Sequence, residues 1–230
     1  LCIIRSLHGD SEDHTSAVQG MHTGSITQVM PSMGSWVSYG LGTENCNLPS
    51  FIVMSRATPR AGQQIWGPAF LPGSHQGARV SPGRNPIPNV RRRTRSREIQ
   101  RAQLDFLSAL DTRHLRNRDP DPALAARMRS FETAFQMQST APETFDLSRE
   151  SQATLDSYGV RLGTDDPGFG WQCLAARRLA ERGVRFIELI HGTGSIGWDS
   201  HKDMLEHEKY ARQADQPIAA LLADLKQRGM

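Results

Sequence analysis

Lysine is almost missing from this chain: Lys202, Lys209 and Lys226 are the whole set, so its basic charge is carried by arginine. Arginine's planar fork suits phosphate or sulfate recognition, although a bias toward arginine-coding codons accounts for the same excess. Cysteine is scarce too. Cys2, Cys46 and Cys173 are far apart and contain no C-x-x-C pair, so neither a disulfide framework nor a cysteine zinc site is signalled, and the redox compartment stays open. No apolar run approaches the ~18 residues of a membrane span, and the first residues lack the basic region, apolar core and cleavage site of a signal peptide. What remains is ordinary globular composition, 37% apolar and 22% charged with a net charge of +3 over 230 residues. One domain, or one domain with insertions, is the expectation. The chain opens at Leu1 inside an apolar run, as a fragment of a longer protein would.

Hydrophobic pattern divides the chain into alternating elements. Residues 1–7 read as a buried parallel strand followed by polar residues including His8 and His14; residues 15–23 read as a helix stopped by Gly24. Trp36, Val37 and Leu41 fall at helical spacing despite nearby glycines, and residues 48–54 form the next strand. Residues 55–95 are rich in Pro and Gly with no sustained period, the mark of an insertion or lid. His75 lies within it.

Arg91, Arg92, Arg93, Arg95, Arg97 and Arg101 make a basic cluster at a helix start. No aromatic stacking partners are interleaved, so a solvated face is expected and no nucleic acid. Residues 96–158 read as a helical insertion. Its first helix carries Ile99, Ala102, Phe106 and Leu110 on one stripe; its second starts at the N-cap Asp121 with Pro122, carries Leu124, Met128, Phe131 and Phe135 inward, and ends at Pro142. A further helix over residues 171–182 points Leu174, Ala175 and Leu179 inward and the Arg177-Arg178 pair outward, and Gly183 stops it. After residue 203 a long helix follows, with a kink or restart at Pro217.

The chemistry concentrates after residues 184–191, a strand ending in His191, and a Gly/Ser-rich turn. In open α/β sheets ligands bind at the C-terminal strand ends. Asp199 and His201 are two residues apart, so on an extended backbone both side chains leave one face and can converge on one ion or one anionic group. A carboxylate and an imidazole suit zinc or a similar divalent ion, but a catalytic zinc needs about three protein ligands, so others must join them. The plainer reading of the D-x-H spacing is a turn carboxylate beside a solvated histidine. Asp203 and His207 have ligand spacing as well, though a carboxylate at a helix N-terminus explains Asp203 more simply.

His14, Thr23-Gly24, residues 34–45 (Gly-Ser-Trp-Val-Ser-Tyr-Gly-Leu-Gly-Thr-Glu-Asn), Asn47-Leu48-Pro49, residues 173–179 and Gly197-Trp198-Asp199-Ser200-His201 together resemble the domain of unknown function 1501 family. That family looks like a sulfatase-like branch of the alkaline phosphatase superfamily. The resemblance implies an α/β fold, a parallel sheet between helices, incomplete here, with a metal-dependent hydrolase site at the C-terminal strand ends. Asp199 and His201 would be its middle metal pair, binding a divalent ion such as zinc or calcium, with His14 a further site residue. The nucleophile cluster would precede Leu1, and a last acidic and histidine cluster would follow Met230. Where the family usually has a second His in the Trp-Asp motif, this chain has Ser200.

A small-molecule or polysaccharide ester of sulfate or phosphate is the implied substrate, and export to the periplasm by an upstream twin-arginine signal the implied localisation. His191 and His75 are the remaining candidate site residues, one ending the strand and the other reaching in from the insertion. A non-catalytic binding or surface-associated protein on the same scaffold is the alternative, because fold alone does not establish function.

Overall fold

The computed structural model describes residues 5–90, 92, 96–116, 119, 121–164, 166–192, 197–201 and 203–230. Three short strands, β1 (Phe51–Met54), β2 (Ala78–Val80) and β3 (Phe186–Leu189), form a parallel sheet in the order β2-β1-β3. Phe51 pairs with Phe186 and Met54 with Leu189 on one side of β1; Ile52 pairs with Ala78 and Met54 with Val80 on the other. Central β1 is covered on both faces, so all four of its residues are apolar and wholly buried.

Alternation along the strands splits the core in two. Phe51, Val53, Phe186 and Ile190 meet Ile65, Trp66 and Val18, the last from α1 (His14–Thr23). α2 (Met33–Leu41) crosses the same face so closely that a Cβ on Gly34 would lie 2.4 Å from the Phe51 ring. On the opposite face, Ile52, Met54, Ile187 and Leu189 pack with Leu174 and Leu179 of α6 (Gly168–Ala180), Met137 and Phe145 of α4 (Pro122–Phe145) and Leu155 of α5 (Gln152–Ser157). α7 (Glu206–Gln227) lies along α6. The expected parallel sheet between helices is present among the described residues.

Several expectations need correction. In residues 1–7, residues 1–4 lie outside the described part, and Arg5 and Ser6 form a turn. The Pro/Gly-rich residues 55–95 are not without structure: they supply β2, two 3-10 turns (Gly62–Trp66 and Gly73–His75) and the core residues Ile65 and Trp66. A three-residue strand is too short to leave a periodic trace in sequence. Of the basic cluster, residues 91, 93 and 95 lie outside the described part.

Pro142 does not end its helix, and α4 runs on to Phe145. Proline removes one helical hydrogen bond, but burial of Ala141, Thr144 and Phe145 holds the last turn in place. The stripe of α3 (Arg97–Arg116) is exposed at Ile99, Phe106 and Leu110. α7 passes through Pro217 without interruption.

The largest correction concerns Arg177 and Arg178, which point inward. Arg177 lies 2.6 Å from Glu150, 2.8 Å from Glu181 and, through Nε at an oblique angle, 3.1 Å from Asp224. Arg178 pairs with the other oxygen of Glu150 and donates to the carbonyls of Thr144 and Glu143, each at 2.7 Å. Tyr158 donates to Asp224 at 3.0 Å. Arginines on a helix are ordinarily solvated; here carboxylates from α5's approach and from α7, both distant in sequence, make burial tolerable. The network joins α4, α6 and α7 behind the sheet.

Candidate metal centre

The C-terminal strand ends carry the site. β1 hands over to Ser55, whose amide donates to the Val80 carbonyl, and β3 to Ile190, whose amide donates to Met54. Beside them begins α1. Asp13 caps it, accepting from the Ser16 amide at 2.9 Å; those hydrogen bonds hold the Asp13 carboxyl below its ordinary value. This cap fixes His14 as the first helical residue. One and two turns on, Val18 and His22 share its face, and Val18 anchors that face in the core.

After β3 the chain returns at Gly197, and residues 197–201 are tied at three points. The Trp198 indole donates to His191 Nδ1 at 3.0 Å, and His207 Nε2 meets the Trp198 carbonyl at 2.6 Å. Ser200 donates to the Asp203 carbonyl at 2.6 Å and to Glu206 at 3.1 Å. The Ser200 hydroxyl is therefore turned to the start of α7. Asp199 and His201, on either side of Ser200, come together as their spacing predicts.

His14 completes the group. Its Nε2 lies 3.1 Å from one oxygen of Asp199, while His201 Nε2 lies 2.9 Å from the other. One donor atom from each residue falls within 4.8 Å of the other two. Zinc held at about 2.0–2.1 Å by tetrahedral ligands requires donors about 3.3 Å apart, so donors within 4.8 Å of one another could hold one ion once the side chains draw together. Two imidazole nitrogens and a carboxylate are a borderline-soft donor set that suits zinc better than calcium. The three side chains are partly exposed, leaving room for a fourth ligand.

A pocket of about 280 Å³ opens beside His14 and Asp199. Ser55 supplies the one hydroxyl on its wall among the described residues, and that hydroxyl is engaged with the Ala57 carbonyl. Arg60 brings a cation with no carboxylate partner among the described residues. His22 lines the wall too, and lies 2.6 Å from Glu188, a lone acid in an otherwise apolar strand. Sequence reading missed this pair. Its signal was the acid within residues 184–191 together with the 14, 18, 22 spacing on α1.

The other candidates separate. His191 stands behind the trio, with its ring against Phe169 and its Nδ1 engaged by Trp198; burial pushes its pKa down. It orients the loop that carries Asp199. His75 sits at the opposite, N-terminal edge of the sheet, where Nδ1 is 2.9 Å from Ser38 Oγ, and burial lowers its pKa as well. His207 braces Trp198, and Asp203 accepts from the Leu205 amide at 2.9 Å, leaving neither in the trio.

A family model described as "Protein of unknown function (DUF1501)" matches residues 1–230. No curated protein and no solved structure matches the chain.

Proposed function

From the premise that the chain belongs to the DUF1501 family, we propose that it carries the metal centre of a metal-dependent hydrolase acting on sulfate or phosphate esters, on a sulfatase-like scaffold of the alkaline phosphatase superfamily. The observation that carries the reading is the convergence of His14 with Asp199 and His201 at the C-terminal strand ends, across more than 180 residues of chain. Residues so distant in sequence have no local reason to meet. Three protein ligands with an open position is the arrangement of catalytic rather than structural zinc.

His14, Asp199 and His201 would hold the ion, which would polarise the ester and stabilise charge on the leaving oxygen. The protein's own groups do the rest. Asp199 supplies the negative charge that favours a dication, and its two oxygens fix both imidazoles. Trp198, held by His191 and His207, sets the position of Asp199. Arg60, exposed on the pocket wall, would supply a cation for the ester's remaining anionic oxygens, as a guanidinium suits a tetrahedral oxyanion.

The test is hydrolysis of p-nitrophenyl phosphate and p-nitrophenyl sulfate by the protein as it occurs in its full coding sequence, with and without added zinc. The reading predicts turnover that chelation abolishes, zinc restores and Asp199→Ala removes. Chelator-resistant turnover, or zinc binding without turnover of any ester, would contradict the hydrolase assignment; the second result would favour the binding-protein alternative.

A further inference from the structure

At the N-terminal edge of the sheet, away from the metal trio, three side chains form a hydrogen-bonded line. Ser50, just before β1, lies 2.6 Å from Ser38 of α2, oxygen to oxygen. Ser38 Oγ in turn lies 2.9 Å from Nδ1 of His75, at the end of the second 3-10 turn. All three line one cavity of about 810 Å³, which shares no residue with the pocket beside the metal trio. We propose that this line is a second reactive site, in which Ser50 is the nucleophile, Ser38 the proton relay and His75 the base for hydrolysis of a small carboxylic ester. Three observations carry it.

The first is the order of exposure. Ser38 is 2% exposed, whereas Ser50 and His75 on either side of it are half-buried and open to the cavity. The serine at the end of the line is thus the one a ligand meets first. The second is direction. With its proton on Nε2, His75 accepts from Ser38 and Ser38 accepts from Ser50, so the lone pairs of Ser50 stay available for attack. The imidazole is steadied by a T-shaped contact with the Tyr39 ring, centroids 5.4 Å apart, and by the hydrogen bond from its own amide to the Pro72 carbonyl.

The third is charge. No carboxylate lines the cavity among the described residues. The titratable groups facing His75 are Tyr39 from α2 and Arg129 from α4, and Arg129 makes no ion pair among the described residues, only a 3.5 Å contact with Ser74. Burial, and after it the charge of Arg129, hold His75 below its ordinary pKa, so at neutral pH it is a free base. A nucleophile, an unprotonated imidazole and an unmatched cation together suit an acyl group whose carbonyl oxygen becomes an oxyanion.

In the reaction, Ser50 Oγ bonds to the acyl carbon while its proton moves to Ser38 and that of Ser38 to His75. The ester C–O bond then breaks, and the proton passes back through Ser38 to the leaving alkoxide. Water repeats the sequence on the acyl-serine, which releases the carboxylic acid and restores Ser50. No step uses the metal centre, so the site stands apart from the function proposed above.

The test is p-nitrophenyl acetate added to the whole chain in chelator, with Cys46→Ser as the reference protein because Cys46 is an exposed thiol on the same cavity wall. One acetyl group per chain is expected, located on Ser50 by peptide mass spectrometry, and phenylmethylsulfonyl fluoride should modify the same residue. This labelling needs no further variant to fold. Ser50→Ala should abolish both adducts, and Ser38→Ala and His75→Gln should each slow acetylation about a hundredfold. The rate should fall as pH drops through the folded pKa of His75, below about 6.5. His75→Gln should flatten that profile, which the loss of a merely structural hydrogen bond would not do. Asp199→Ala should leave the rate unchanged, so that failure of the metal centre and failure of this site are separate results. Acetyl groups found only on other residues, an unchanged rate in Ser50→Ala, or a pH profile that His75→Gln does not alter would overturn the proposal.

Discussion

Glu150 lies between Arg177 and Arg178 much as Asp199 lies between His14 and His201, each carboxylate giving one oxygen to each neighbour. The side chains of the arginine cluster are 4–11% exposed, and those of the histidine cluster 37–69%. Around Glu150 the guanidiniums are further matched by Glu181, Asp224 and two backbone carbonyls. Around Asp199 the two imidazoles have, among the described residues, the shared acid, each other's ring edge and an open pocket. The first arrangement is matched in charge without a ligand, only Arg177 Nε lacking a well-aligned acceptor among the described residues, and it ties helices together. The second has donors in excess of what a structural pair needs, at an edge where it ties little together. Burial and saturation, more than residue type, separate a cluster that holds the fold from one that is available for chemistry.

Breaking the buried cluster should cost most. Glu150→Ala leaves two buried guanidiniums short of charge and should destabilise the protein by about 3–5 kcal/mol in denaturant unfolding. A loss below about 1 kcal/mol would show that water already reaches the network. Asp199→Ala in the absence of metal should change stability by no more than about 1 kcal/mol. With zinc at a hundred times its dissociation constant, the unaltered protein should gain about 2.7 kcal/mol and Asp199→Ala nearly none. Melting temperatures with and without zinc measure both.

Acid sharpens the contrast. Burial raises the Glu150 and Asp224 carboxyls, but Arg178 and Arg177 on one, and Arg228, Tyr158 and Arg177 on the other, bring both below their ordinary values. A carboxyl depressed in the folded state contributes stability that is present above its unfolded pKa, near 4.3 for Glu, and is lost as pH falls through the folded value. His191, whose pKa burial lowers, adds an earlier loss: folding keeps it neutral, so stability declines once pH falls below about 6.5. Unfolding free energy should therefore fall in two stages between neutral pH and pH 3; His75, whose pKa burial also lowers, shares the first stage, so His191→Gln should reduce it and His191→Gln with His75→Gln should remove it. The smallest effect belongs to an exposed control. Arg101, 2.7 Å from Glu132 on the surface of α3 and α4, should contribute under about 1 kcal/mol in a double-mutant cycle.

Elements whose pattern is local were legible in the sequence. The buried run around β1, the N-cap Asp121 with Pro122, and the convergence of Asp199 with His201 all follow from a few neighbouring residues. What depended on distant partners was not. Nothing near Arg177 and Arg178 announces Glu150 or Asp224, and so the pair read as solvated. The same physics hid the geometry of the cluster's third member: His14 stood out through family resemblance, while its approach to Asp199 depends on α1 packing Val18 against the core around Val53 and Ile65. β2 was concealed by its length, and His75 was misdirected by lying in a loop whose end turns to the N-terminal edge of the sheet.

Because His14 is the member that no local pattern accounts for, the most direct test is zinc affinity measured by competition with a chromophoric chelator in the unaltered protein and in His14→Ala. One zinc per chain is expected, with affinity reduced at least about tenfold in His14→Ala, as losing one of three ligands requires. Equal zinc affinity in the two proteins would show that His14, Asp199 and His201 do not form one metal centre.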